Sequence, residues 1–219
     1  MATVTLSFDN GPDPVVTPQV LTILAREGIK STFFVVGQRI ETPDGLALIA
    51  RARREGHWIG NHTYSHTRPL GMMADGEAAV AEINRTGALI GAHAEPHRLF
   101  RPYGGGGILD ARILNAAAAR YLCDAGYSCI TWNAIPRDWD DPDGWVDTAL
   151  RQIAKQEETL VVLHDIPSGA MDRLDEFIAR ARAAGATFRQ DFPTSCILIW
   201  QGKPTRDLAP FISVTPFVA

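Results

Sequence analysis

The chain has 219 residues, of which 46% are hydrophobic and 21% charged, and 21 basic against 25 acidic side chains leave a formal charge of -4. These values fit an ordinary globular domain and exclude disordered, collagen-like and coiled-coil classes. The longest basic run is 51–54 (Arg-Ala-Arg-Arg), no apolar stretch approaches about 18 residues, and no basic leader precedes an apolar segment, which argues against a nucleic-acid partner, a membrane span and export.

One domain over residues 1–219, in the cytoplasm, is the resulting expectation. Residues 4–8 are a short β-branched and apolar strand that stops at the turn formers Asp9-Asn10-Gly11-Pro12. Val16, Val20, Leu21, Ile23 and Leu24 then recur at helical spacing up to Gly28, and 31–36 reads as a second buried strand, completing one β-α-β unit. The alternation continues with helices over 45–54, 77–90, 110–120, 145–155 and 172–183, interleaved with strands over 57–59, 99–100, 128–132 and 159–163. Further strands are expected over 197–200 and 211–218, where they would close the barrel or, as the less plain choice, form a dimer contact. About seven such units predict a mostly parallel sheet covered by helices, either doubly wound or a distorted (β/α) barrel. Cys123, Cys129 and Cys196 match no metal or redox spacing and are expected as free thiols.

In both architectures a functional site gathers at the carboxyl ends of the strands. Asp9-Asn10 follows the first strand, Asn61-His62-Thr63-Tyr64-Ser65-His66 the third, Arg101-Pro102-Tyr103-Gly104 the fourth, Asp138-Trp139 the fifth, and His164-Asp165 ends the last strong one. Each has an ordinary explanation by itself. Asx residues start turns, four glycines after Tyr103 make a flexible loop, and a lone His164 suits a core. His62 and His66 would share one face, and so could share a metal, if their segment made a helical turn. Five polar groups at the same end of successive strands is what unrelated structural roles would not produce.

The five segments resemble the motifs of NodB-type polysaccharide deacetylases, carbohydrate esterase family four. Ser7-Phe8-Asp9-Asn10-Gly11-Pro12 is similar to the first motif, His62-Thr63-Tyr64-Ser65-His66 to the second, Arg101-Pro102-Tyr103 to the third, Asp138-Trp139 to the fourth and Val162-Leu163-His164 to the fifth. The resemblance spans about residues 4–187. It implies a distorted barrel and a metal-dependent hydrolase that removes N-acetyl groups from N-acetylglucosamine-containing oligo- or polysaccharides. It further implies Asp9 as general base, His164 as general acid, Arg101 beside the base and Asp138 beside the acid. Asn10, His62 and His66 would hold a divalent metal, usually zinc, while Trp139 and Val162 line the acetyl pocket and the backbone N–H of Tyr103 faces the oxyanion.

Asn10 departs from the pattern, which has a metal-binding aspartate there. A neutral ligand set is expected to retain metal less tightly while leaving it a stronger Lewis acid. Ile135 replaces a frequent aspartate and Val162 a usual leucine, which widens the acetyl slot slightly. Other outcomes on the same scaffold are an amidohydrolase acting on a non-carbohydrate C–N bond, such as a deformylase, ureide hydrolase or imidase, and a catalytically silent carbohydrate-binding relative. A small, diffusible N-acetylated oligosaccharide is the expected partner.

Overall fold

The computed structural model describes residues 2–214. In chain order it contains β1 (Thr3–Asp9), α1 (Val16–Glu27), β2 (Thr32–Val35), α2 (Gly37–Ile40), α3 (Pro43–Arg54), β3 (Trp58–Asn61), α4 (Gly76–Ile90), β4 (Leu99–Phe100), β5 (Leu114–Asn115) and α5 (Ala116–Asp124). There follow β6 (Ser128–Ile130), α6 (Trp145–Ile153), β7 (Glu158–His164), α7 (Leu174–Ala183), β8 (Thr187–Arg189), β9 (Ile197–Trp200), β10 (Lys203–Pro204) and β11 (Ile212–Ser213). Helix α2 and the short strands β5, β8 and β10 escape the sequence periodicity because each is only two to four residues long. No helix among the described residues is long and apolar enough to cross a membrane.

β1 is buried along nearly its whole length, the mark of a parallel strand covered on both faces. It pairs in parallel with β2, β7 and β8, and the parallel path continues from β2 through β3 and β4 to β6. Beyond β6 the chain turns back to β7: Ala134 donates to Leu160 O at 3.2 Å and accepts from Val162 N at 3.0 Å, with a parallel bridge to Val161. That contact curls the sheet into the distorted barrel expected from the motifs. Among the described residues closure therefore comes from the segment after β6 and not from the tail. β9 instead pairs antiparallel with β6, and Phe192 and Cys196 pack against Phe34, Leu99, Ile130 and Leu160. The second tail strand, expected over 211–218, falls partly outside the described residues; within them only β11, paired with β5, is found.

The main core lies between β1, β2 and β7 on one side and α1, α6 and α7 on the other, with Leu6, Phe8, Val20, Leu24, Trp145, Leu163 and Phe177 all fully buried. α1 ends at Gly28, whose φ of 65° is the left-handed cap conformation glycine adopts without penalty. One expectation is corrected here. The helix predicted over 110–120 starts only at Ala116, because the Asn115 side chain accepts from Ala118 N and caps it while Leu114–Asn115 is extended. All three cysteines are free, and burial pushes the Cys129 thiol up to about 12.

His57, just before β3, is fully buried and accepts from Ser31 N through Nδ1 at 3.1 Å. Burial, helped by the nearby Lys30 charge, holds its pKa down to about 4. Below the unfolded value of about 6.5 the unfolded chain takes up a proton that the folded chain refuses, so stability falls as pH drops from about 6.5 toward 4. Denaturant unfolding at about pH 7.5 and pH 5 should show a loss of roughly 2 kcal/mol attributable to this residue, absent in His57→Gln. An equal pH slope in the variant would contradict it.

Candidate active site

Strand register gathers the polar residues into one layer. Asp9 is the cross-strand neighbour of His164 and of Phe34, Val35 of Asn61, and Asn61 of Phe100. The next backbone steps continue the layer: His62 N donates to Val35 O at 2.9 Å and Arg101 N to Asn61 O at 2.9 Å. Residues distant in sequence therefore end at the same height.

Arg101 is fully buried, and its guanidinium has four partners. Nη1 donates to Asp9 Oδ1 at 2.8 Å and Ser7 Oγ at 2.6 Å, Nη2 to Thr131 O at 3.2 Å, and Nε to Ile130 O at 3.3 Å. The ring of Phe34 lies beneath it, 4.0 Å from the guanidinium carbon. Asp9, itself 3% exposed, keeps Oδ2 free of this pair and 3.5 Å from His62 Nε2. A buried carboxylate held by a buried guanidinium is oriented by charge and by geometry together.

The His62–His66 segment is a loop and makes no helical turn, so the condition for the two histidines to share a helix face is not met. Thr63 and His66 take positive φ of 67° and 52°, and side chains outside the motif hold the loop. Asn61 Oδ1 accepts from Thr63 N at 3.0 Å, and Glu82 Oε2, on α4, accepts from Tyr64 N and Ser65 N at 2.9 and 2.8 Å. The result still pairs the rings, with the two Nε2 atoms 3.1 Å apart. His62 Nδ1 lies 2.8 Å from Arg101 O, an acceptor, so that nitrogen carries the proton and Nε2 presents its lone pair. Burial pushes both histidines down to about 3, which keeps them neutral.

Asn10, at φ 73°, occupies the left-handed region that asparagine tolerates, and its Oδ1 is buried without a hydrogen-bond partner. No three His, Cys, Asp or Glu side chains among the described residues form a metal-binding group. The donor set here is two neutral imidazoles and an orphaned amide oxygen. It suits a divalent cation: tetrahedral zinc with nitrogen bonds of about 2.0–2.1 Å separates two ligand nitrogens by about 3.3 Å, close to the observed spacing.

On the neighbouring strand, His164 Nδ1 donates to Asp138 Oδ1 at 2.8 Å, and its backbone N donates to Asp138 Oδ2 at 2.8 Å. Burial alone would lower the pKa of this imidazole, but the charge and hydrogen bond of fully buried Asp138 outweigh it, and the pKa is raised. Nε2 remains the free ring nitrogen. Trp139 meets the ring edge to face, 4.7 Å between centroids.

A cavity of about 220 Å³ joins these groups. Eight of the ten residues expected at the site line it: Asp9, Asn10, His62, His66, Tyr103, Trp139, Val162 and His164. Arg101 and Asp138 sit behind it as the partners of Asp9 and His164. The Tyr103 ring lies tilted against His66, 4.0 Å between centroids, and its backbone N–H makes no hydrogen bond among the described residues. The glycines after Tyr103 form a fitted wall. A Cβ at Gly104 would meet the Trp132 ring at 2.4 Å and one at Gly107 would meet Ile135 at 2.7 Å, with Gly107 also at φ 86°. Ser7 and Asn61 stood inside the expected site segments without a role, whereas Glu82 and Trp132 were not expected at the site. Only Asn61 and Ser7 carried any signal, as polar residues inside or at the end of otherwise apolar strands.

Residues 2–130 match the family described as polysaccharide deacetylase. A chitooligosaccharide deacetylase of Sinorhizobium fredii is 34% identical over 163 residues, 73% of this chain and 70% of its own. A peptidoglycan-N-acetylglucosamine deacetylase of Bacillus cereus is 31% identical over 183 residues, 82% of this chain and 78% of its own. Among solved structures, a family 4 carbohydrate esterase from Streptomyces lividans, in complex with acetate, superposes with a TM-score of 0.73 at 24% identity, covering 90% of this chain and 96% of that one, a likeness of fold.

Proposed function

Because this chain belongs to the polysaccharide deacetylase family, we propose that it hydrolyses the N-acetyl group of N-acetylglucosamine-containing oligo- or polysaccharides. The observation that carries this reading is the pairing of Asp9 and His164 across β1 and β7, each with its own buried counter-charge, Arg101 and Asp138. Amide hydrolysis needs a base to take a proton from water and an acid to give one to the departing nitrogen. A carboxylate and an imidazole side by side, each bonded to its own buried partner, are the two groups that such a step uses.

Asp9, oriented by Arg101, takes the proton of the attacking water through Oδ2. His164, its pKa raised by Asp138, releases its Nε2 proton to the amine as the C–N bond breaks. The backbone N–H of Tyr103 is free to donate to the carbonyl oxygen as charge develops there. Trp139 and Val162 enclose the acetyl methyl, and the cavity wall at Gly104 to Gly107 lets the sugar approach bare backbone. His62, His66 and the Asn10 amide oxygen would hold a divalent cation, zinc by donor type, whose chemistry is to polarise the carbonyl and lower the pKa of water.

Acetate release from chitooligosaccharides and from peptidoglycan fragments, with saturating zinc, tests the reading. Acetate is expected from at least one. None from either, with zinc shown by calorimetry to be bound, would reject deacetylation and favour a silent binder.

Asn10→Asp adds a negative charge to a ligand set that has two neutral rings. Zinc affinity measured by calorimetry should rise by about tenfold or more, roughly 1.4 kcal/mol. An unchanged Kd would mean that Asn10 does not coordinate.

A further inference from the structure

A second cavity of about 240 Å³ adjoins the first. The two share Asn10, His66 and Ile166, and the second is otherwise lined by Val36, Gln38, Arg39 and Ser65. It therefore opens from the same group of residues, on the side of α2.

The backbone of α2 is fastened to the histidine loop, since Gly37 N donates to Thr63 O and Gln38 N to Tyr64 O, each at 3.0 Å. The position of Arg39 relative to His66 is thereby set by main-chain bonds. The guanidinium itself is lightly held. Its ion pair is with Asp13 Oδ2 at a long 3.9 Å, with the Arg39 side chain 40% exposed, while Asp13 Oδ1 accepts from Val15 N and Val16 N. Of the neighbouring carboxylates, Glu41 takes Arg85 and the Tyr64 hydroxyl, and buried Asp165 takes the Thr17 hydroxyl through Oδ2 while its Oδ1 has no hydrogen-bond partner among the described residues and makes no ion pair with Arg39. An exposed cation beside an amide side chain and a hydroxyl, facing a cavity, is a recognition set for a carboxylate.

We propose that this cavity is a carboxylate-binding subsite and that the preferred substrate is an N-acetylated amino sugar carrying an acidic substituent near its acetamide group, with Arg39 reading the charge. The inference rests on the deacetylase reading of the adjoining site. It names what that reading leaves open, the charge of the substrate.

The experiment compares kcat/KM for acetate release from a lactyl-bearing fragment containing N-acetylmuramic acid with that for a neutral chitooligosaccharide of equal length. The acidic-to-neutral ratio should exceed one in the native chain and fall by about tenfold in Arg39→Gln, with Arg39→Glu inverting the preference. High salt should lower the ratio, because a half-exposed ion pair is screened. A ratio of one or below in the native chain, or one that Arg39→Gln and Arg39→Glu leave unmoved, overturns the proposal. If Arg39 instead retained the released acetate, the variants would weaken product inhibition by acetate equally with both substrates and leave the ratio alone, which also overturns it. Calorimetric titration of the zinc-loaded protein with N-acetylmuramic acid and with N-acetylglucosamine separates the two readings. Tighter binding of the acid that is lost in Arg39→Gln supports the subsite even if neither sugar is hydrolysed, and equal binding rejects it even if both are.

Discussion

Arg101→Met is expected to cost about 3–5 kcal/mol of folding stability, the loss typical of removing one partner from a buried ion pair. The guanidinium is fully buried and makes four hydrogen bonds, to Asp9, Ser7, Ile130 O and Thr131 O. Methionine restores most of the volume and none of the bonds, so Asp9 is left as an uncompensated buried carboxylate and two carbonyls lose a partner. Activity should fall by about 10²–10⁴-fold, the span of general acid–base effects, because an unheld Asp9 no longer offers a fixed acceptor to water. Arg101→Lys restores a charge without the planar fork and should recover part of the stability while leaving activity low. Denaturant titrations and acetate-release rates of the three proteins are the measurements. A variant as stable as the native chain would show that the Asp9–Arg101 pair is not what supports this layer.

The second large effect is on pH dependence. In the native protein Asp138 raises the pKa of His164 against the opposing influence of burial, so the proton donor persists to higher pH. Activity should therefore fall as pH rises through the folded pKa of His164. Asp138→Asn removes the charge and leaves burial in control, so the alkaline limb of kcat should move to lower pH and the plateau should drop by about 10²–10⁴-fold, as when the carboxylate behind a catalytic histidine is neutralised. Stability follows the same linkage. A raised histidine pKa contributes stability that is fully present below about 6.5 and is lost as pH rises through the folded value, the reverse of His57. An unmoved alkaline limb in Asp138→Asn would remove His164 as the proton donor.

Tying both effects to one layer of the barrel also explains the spread of the site along the chain. Asp9, Asn61, Arg101 and His164 occupy the ends of different strands, and backbone register sets them side by side. Their supporting bonds run over long separations, 94 residues from Arg101 to Ser7 and 26 from His164 to Asp138. Local patterning carries no trace of such pairs.

From the residues alone come the alternation of strands and helices, the end of the sheet at which polar groups collect, and the chemical types available there. These are short-range properties, written in periodicity, turn residues and side-chain donors. The helix start at Ala116, the looped path between His62 and His66, the anchoring by Glu82, the closure through Ala134 and the second cavity at Arg39 belong to the tertiary structure. Each depends on which distant backbone group lies within hydrogen-bond reach, and that is decided only when packing of the buried faces selects one register among the strands.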